Sequence, residues 1–308
     1  MYVARAIAWS CVVASIQGPI GCSGDDAVPE AGPEARGSFA VLLVERARFD
    51  GELPSSRYEH FEMSGRVARF SGIERERVAA ILGIDGLDEP VELDSCDAPT
   101  ALSLADDVAV EEMGRAEIDL VDVGPIDVRA GSRSLRLEPQ SFPGLLDVLS
   151  GAVYGADERE GIEWSSGADY SFLAGGALDI GSFEAVGSAP DELVVLRVGG
   201  DDPTLGTAAI ERQLDLLLRW EPGDQRDTLR VDLTWSQLGT EMRLECNAID
   251  DGAFVIPASV LRQVPEGAFA VSPRVTMHRV RRRSFAAPGL DEGVLLFEQS
   301  ETFPVRIR

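Results

Sequence analysis

The residues able to do chemistry are few and scattered. The chain has two histidines, His60 and His278, far apart in sequence. His60 lies in Tyr58-Glu-His-Phe-Glu62. On a strand, alternation puts Glu59 and Phe61 on one face and His60 and Glu62 on the other. A two-ligand metal face is one reading, and a polar surface strand is the plainer one. No His-Glu-x-x-His or Cys-x-x-Cys pattern holds a metal, and no Gly-x-Ser-x-Gly elbow presents a nucleophile. The pairs Gly175-Gly176 and Gly199-Gly200 match neither a phosphate loop nor a dinucleotide fingerprint. No catalytic residue, metal ligand or cofactor is therefore expected. A triad is spatial, so a divergent periplasmic hydrolase stays as an alternative.

Charged clusters offer a second kind of chemistry. Acidic pairs recur at Asp106-Asp107, Asp157-Glu158, Asp201-Asp202 and Asp250-Asp251, with Asp85, Asp88 and Glu89 forming another group. None has the EF-hand spacing. They read as solvated loops, with a calcium-stabilised adhesive module as a further alternative. Asp250-Asp-Gly252 reads as a hairpin turn. The basic cluster is Arg279, Arg281, Arg282 and Arg283, with Arg274 nearby. It suits an anionic ligand, the chain's own acidic surface, or a solvated strand edge where charge blocks edge pairing.

Composition narrows the partners. The chain of 308 residues has 28 basic side chains against 53 acidic ones, a net charge of −25. Every basic residue is arginine. Such a surface disfavours nucleic acid, which needs basic contacts to phosphate, and disfavours electrostatic docking on anionic lipid. Apolar content of 44% suffices for real cores.

Hydrophobic period decides the fold class. Leu214, Leu216, Leu218 and Trp220 alternate with polar or outward positions, as do Leu229, Val231, Leu233 and Trp235, then Met242, Leu244 and Cys246. Period two places one set in a core and the other outward. Polar turns join these runs into an antiparallel sheet. Further strands are predicted at 39–44, 61–70, 118–123, 126–128, 135–137, 170–173, 178–183, 193–198, 268–271, 275–280, 294–297 and 303–307. Helical spacing is confined to 73–82, to a turn at 257–264 with Pro257 at its start, and to 207–213. Many short strands with regular turns indicate a mainly β chain of two antiparallel β-sandwich modules with a few short helices.

The first residues carry an address. Arg5 precedes an apolar run, Ala6–Ile16, followed by Gly18-Pro-Ile-Gly-Cys22. The order is that of a secretory signal, and the run is too short to span a bilayer. The segment ending at Cys22 resembles the bacterial lipobox, although Pro19 stands where leucine is usual. The resemblance implies removal of 1–21, lipid on Cys22 and an envelope anchor, with Ser23 resembling the outer-membrane-sorted class. Ordinary cleavage and release into the periplasm or medium is the alternative. Residues 22–37, rich in Pro, Gly and acid, read as a tether.

With Cys11 removed and Cys22 lipidated, Cys96 and Cys246 remain, either as a disulfide or as two separately buried thiols. The segment with Trp235, then Cys246, then Gly252-Ala-Phe-Val-Ile-Pro-Ala-Ser-Val-Leu261 is similar to immunoglobulin-like repeats of secreted bacterial proteins. It implies an immunoglobulin-like fold and no catalytic residue. Two domains, 38–190 and 191–308, are expected, with the boundary in the Pro-, Gly- and Asp-rich stretch 187–206. The function expected is structural or binding, toward another envelope protein or a glycan, with the membrane reached through the lipid.

Overall fold

The computed structural model describes residues 36–50, 57–84, 92–101, 117–145, 149–157, 161–265 and 272–308. The signal, Cys22, most of the tether and the strand expected at 268–271 lie outside them. The described chain is mainly β, with two short α-helices. Among the described residues no helix is long and apolar enough to cross a membrane.

The strands, numbered in chain order, form three sheets. The central one contains β1 (Arg36–Phe49), β2 (Tyr58–Ser71), β3 (Ser95–Cys96), β4 (Thr100–Ala101), β5 (Glu117–Leu120), β8 (Gln140–Leu145), β9 (Leu149–Asp157), β13 (Ala208–Ile210), β15 (Asp227–Gln237), β16 (Thr240–Ile249), β18 (Arg274–Phe285) and β19 (Glu292–Ile307). Its main path runs β3-β16-β15-β18-β19-β1-β2-β5-β9-β8. The second sheet is β11 (Phe183–Ser188), β10 (Asp169–Ala174), β6 (Ile126–Ala130) and β7 (Arg133–Leu137), in that order. The third is β12 (Val195–Val198), β14 (Leu216–Trp220) and β17 (Ala253–Ile256).

β19 is the axis of the molecule. Its residues are buried on both faces from Gly293 to Val305, and successive side chains enter different environments because a strand alternates. Val294 and Leu296 join a core under the helix α1 (Arg75–Ile81). Leu295 and Phe297 point the other way, into the core shared with the second sheet. Phe303 and Val305 enter the core beneath the third sheet. One face of the central sheet thus carries two adjacent layers, and the other carries α1.

Several expectations change. The central sheet is mixed rather than antiparallel, since β19 pairs in parallel with β1 and with β13, and β5 with β9. The runs 294–297 and 303–307 are one strand, because 298–302 keeps extended backbone while changing from apolar to polar side chains. Residues 178–182 are not a strand and β11 begins only at Phe183; Leu178 is fully exposed while Ile180 is buried. Within 207–213 there is no helix: Ala208–Ile210 is β13, paired with the end of β19, and 211–213 is a turn. The helix α2 (Ala258–Leu261) follows Pro257 as expected. Residues 34–308 form one compact unit. The expected boundary near 190 marks a change of core and not a break in the central sheet, because β1 lies against β19.

The β15–β16 hairpin turns at Leu238 and Gly239, both with positive φ (53° and 87°). Such a turn favours Asn-Gly, and a fully exposed leucine there gains nothing from packing. In urea unfolding, Leu238→Asn is expected to stabilise by about 0.5–1 kcal/mol. Phe297→Ala, which empties a fully buried site, should cost about 3–5 kcal/mol.

Candidate functional site

Two polar clusters occupy the central sheet, one on each face. The first follows from the alternation of β18. Val275 and Met277 face the core under the third sheet, so Arg279 and Arg281 must point the same way. Arg279 is completely buried. Its Nε donates to Asp250 Oδ2 (2.6 Å) and its Nη2 to Asp250 Oδ1 (3.1 Å). Its remaining donors reach the carbonyls of Asp191 (3.1 Å), Glu192 (2.9 Å) and Glu221 (2.5 Å). Trp220 Nε1 donates to the same Asp250 carboxylate at 2.6 Å.

Arg281 repeats the arrangement two residues on. It donates from Nε and Nη2 to Asp227 (2.5 and 2.8 Å), and from Nη1 to the carbonyls of Ser188 and Ala189 (both 3.2 Å). Gln299 Oε1 accepts from the Leu193 amide (2.5 Å). Arg46 and Arg48 on β1 reach Glu192 (3.7 and 2.5 Å) and Glu59 (2.8 and 3.1 Å), and Arg48 also pairs with Glu301 (3.0 Å).

These residues form a diagonal polar seam between the two cores on this face. The segment 188–193 passes along it, with its carbonyls held by the sheet's arginines. The expected anionic-ligand patch is therefore corrected. Arg279 and Arg281 are buried and saturated by internal partners. Arg282 points to the opposite face of β18, 3.9 Å from Glu292, and Arg283 is half-buried. Asp250 is likewise the carboxylate of a buried pair rather than a plain turn residue. The signal that could have found this was the apolar alternation running into Arg279 and Arg281.

The second cluster lies on the opposite face, where Glu298, Ser300 and Thr302 of β19 point. His278 Nδ1 lies 2.5 Å from Glu298 Oε1, and its Nε2 is 3.2 Å from Asp232 Oδ2, close enough for an ion pair but not aligned as a hydrogen bond. Arg230 stands beside both carboxylates (3.6 Å to Asp232, 3.4 Å to Glu298). Ser300 is the cross-strand neighbour of His278, yet both imidazole nitrogens face carboxylates. Sequence reading missed this cluster because Arg230, Asp232 and Glu298 resemble solvent-facing strand positions.

Burial pulls the His278 imidazole down and Arg230 adds to that, but Glu298 and Asp232 outweigh both, so its pKa is raised. Burial pushes Asp232 and Glu298 up, but His278 holds both below ordinary carboxylate values. Glu45, next to Glu298 in register, is raised by burial and then by Glu298 and Glu62.

The other described candidates fall outside both clusters, and Asp85, Asp88, Glu89, Asp106, Asp107 and Glu158 lie outside the described residues. His60 is half-exposed and 3.4 Å from Glu62, while Phe61 is in the core, as alternation required. Asp202 caps the 3-10 turn 203–205 through Thr204 (3.0 Å), Asp201 accepts from Ala209 (2.9 Å) and Asp251 from Ala253 (3.3 Å). These loop acids serve the backbone. Among the described residues no group of three His, Cys, Asp or Glu could hold a metal ion. An open depression of about 440 Å³ is lined by Arg36, Ser38, Arg69 and Asp291, among others. Ser38 there bonds Asp291 (2.8 Å), and Arg69 bonds Asp179 (2.8 Å). Cys96 and Cys246 are joined by a disulfide (S–S 2.09 Å).

Arg279→Ala would leave Asp250 buried without its cation and is expected to cost about 3–5 kcal/mol in denaturant unfolding. Gly223→Ala should damage the same pair, because a Cβ there would lie 2.3 Å from Asp250 Oδ2. The second cluster makes stability depend on pH. The raised His278 contributes below its ordinary value of 6.5, and that contribution is lost as pH rises through its folded pKa. The lowered Asp232 and Glu298 contribute above their ordinary 3.8 and 4.5, and lose it as pH falls through their folded values. The urea midpoint difference between the native chain and His278→Gln should therefore be larger at about pH 5.5 than at about pH 9; an equal difference would show that the imidazole is not charged in the fold.

No protein-family model matches the chain, and no curated protein does. Among solved structures, the yeast delta-COP-I mu-homology domain aligns over 91% of this chain and 100% of its own, at 8% identity and a TM-score of 0.23. The same yeast domain complexed with the Dsl1 WxWxV peptide aligns over 90% of this chain and 100% of its own, at 9% identity and a TM-score of 0.21. At these scores neither likeness bears on function.

Proposed function

We propose that this chain is a non-catalytic lipoprotein of the cell envelope: a structural or binding body on a lipid anchor. In this reading residues 1–21 are removed, Cys22 carries lipid in the outer membrane, and the acidic tether 22–37 spaces the fold from it. The two layers on the central sheet are two immunoglobulin-like modules fused along shared strands. The partner is another envelope protein or a glycan.

The observation that carries the non-catalytic reading is that the side chains richest in chemistry are held by one another. His278 sits between Glu298 and Asp232, and Arg279 and Arg281 are bound to Asp250 and Asp227. Removing such groups from the interior would destabilise the protein. They serve architecture, and recognition falls to the surface.

Mass spectrometry of the mature protein from membranes tests the anchor. An N-terminal Cys22 bearing diacylglycerol is expected, and Cys22→Ala should move the protein to the soluble fraction. Unmodified mature protein starting elsewhere would sink the proposal.

A further inference from the structure

We infer that the segment 92–101 is a redox-released strap over the edge of β16, and that its release lets β16 pair with β16 of a second copy of this chain. The central sheet ends on this side with β3 and β4, two residues each, whose only strand partner among the described residues is β16. Their register is Cys96 opposite Cys246, Ser95 opposite Asn247, Thr100 opposite Arg243 and Ala101 opposite Met242. Two further bonds hold the strap, from the Asp97 amide to the Glu245 carbonyl (2.9 Å) and from the Ile249 amide to Asp94 Oδ1 (3.1 Å). Most of the strap is exposed, including Leu93 and Asp97. The Cys96–Cys246 disulfide is its one covalent fastening to the sheet.

The two sulfur positions differ. Cys246 is fully buried, whereas Cys96 is only half-buried. A thiolate of an external dithiol can attack Cys96 Sγ, breaking the S–S bond and leaving Cys246 as a thiolate that takes up a proton. The second thiol of the reagent then displaces Cys96, which leaves as a thiol, while the dithiol becomes a disulfide. Two electrons pass from the dithiol to the protein. The freed strap retains a few hydrogen bonds along short strands, too few to hold an exposed segment in place.

The uncovered edge suits its own copy. Antiparallel pairing of two β16 strands with Leu244 on the two-fold axis sets Arg243 opposite Glu245 of the second copy, twice by symmetry. It also sets Met242 opposite Cys246, so apolar residues continue one core face and charged residues the other. An unpaired strand of this length is a template for such addition.

The test uses the whole protein at about 150 mM salt, where the long-range repulsion between acidic copies is screened. Light scattering should give a one-copy mass before dithiothreitol and a two-copy mass after it, with two more alkylatable thiols per chain than before reduction. Deuterium uptake should rise in 92–101 while 240–249 stays protected by the second copy. Glu245→Arg should keep the reduced protein at one copy, and Arg243→Glu/Glu245→Arg should restore the two-copy mass. Reduced protein that keeps a one-copy mass, loses its circular dichroism, or dimerises equally well as Glu245→Arg would overturn the inference.

Discussion

The fold depends on two arginines placed where a β-strand would normally continue its apolar face. Arg279 and Arg281 lie on β18 between two hydrophobic cores, and each binds one buried carboxylate and the backbone of residues 188–192. That backbone joins the second sheet to the third. Beyond the end of β11 the Asp191 and Glu192 carbonyls have no strand beside them, and buried carbonyls without partners are costly. A planar guanidinium with several fixed donors can satisfy a carboxylate and adjacent carbonyls together, which a lysine ammonium cannot do with the same geometry. The seam therefore sets where one layer ends and the next begins.

Burying these charges carries a desolvation penalty that the pairing must offset. An all-apolar seam would avoid that penalty but would merge the two cores, leaving the linking segment free to settle at several registers. A polar seam admits only the arrangement in which each carbonyl meets its donor. Gly223 shows how tight the fit is, since its missing side chain makes room for the Arg279–Asp250 pair.

Much of the β architecture was legible in the sequence. The alternation at Leu229, Val231, Leu233 and Trp235, and at Met242, Leu244 and Cys246, reports directly which face meets the core. The boundary near 187–206 was legible as composition, but its role was not. A Pro- and Asp-rich stretch looks the same whether it separates domains or is held along a seam. The arginine cluster was misread for a similar reason. A charge run on a surface and one in a seam have equal composition, and the deciding partners, Asp250 and Asp227, lie 29 and 54 residues away. Residues 208–210 lacked local information as well, because their strand state comes from pairing with the end of β19. The His278 cluster was hidden by alternation itself, which assigns the second face to solvent and cannot say when that face is covered.

β19 touches all three cores and pairs in parallel with β1, Phe39 meeting Glu292 and Phe49 meeting Thr302. Contacts that distant in sequence close slowly, because the chain entropy is surrendered before the pairing compensates for it. The sheet cannot be completed until residues 292–307 have been synthesised, so β1 keeps one edge unpaired until then, while β2 on its other side has β5 and β9 as partners from the first half of the chain. The last strand in the chain is thus the one that joins the two halves of the central sheet, with β18 on one side and β1 on the other. A chain cut short before that strand would leave both β1 and β18 with a bare edge, each a template for pairing with another molecule.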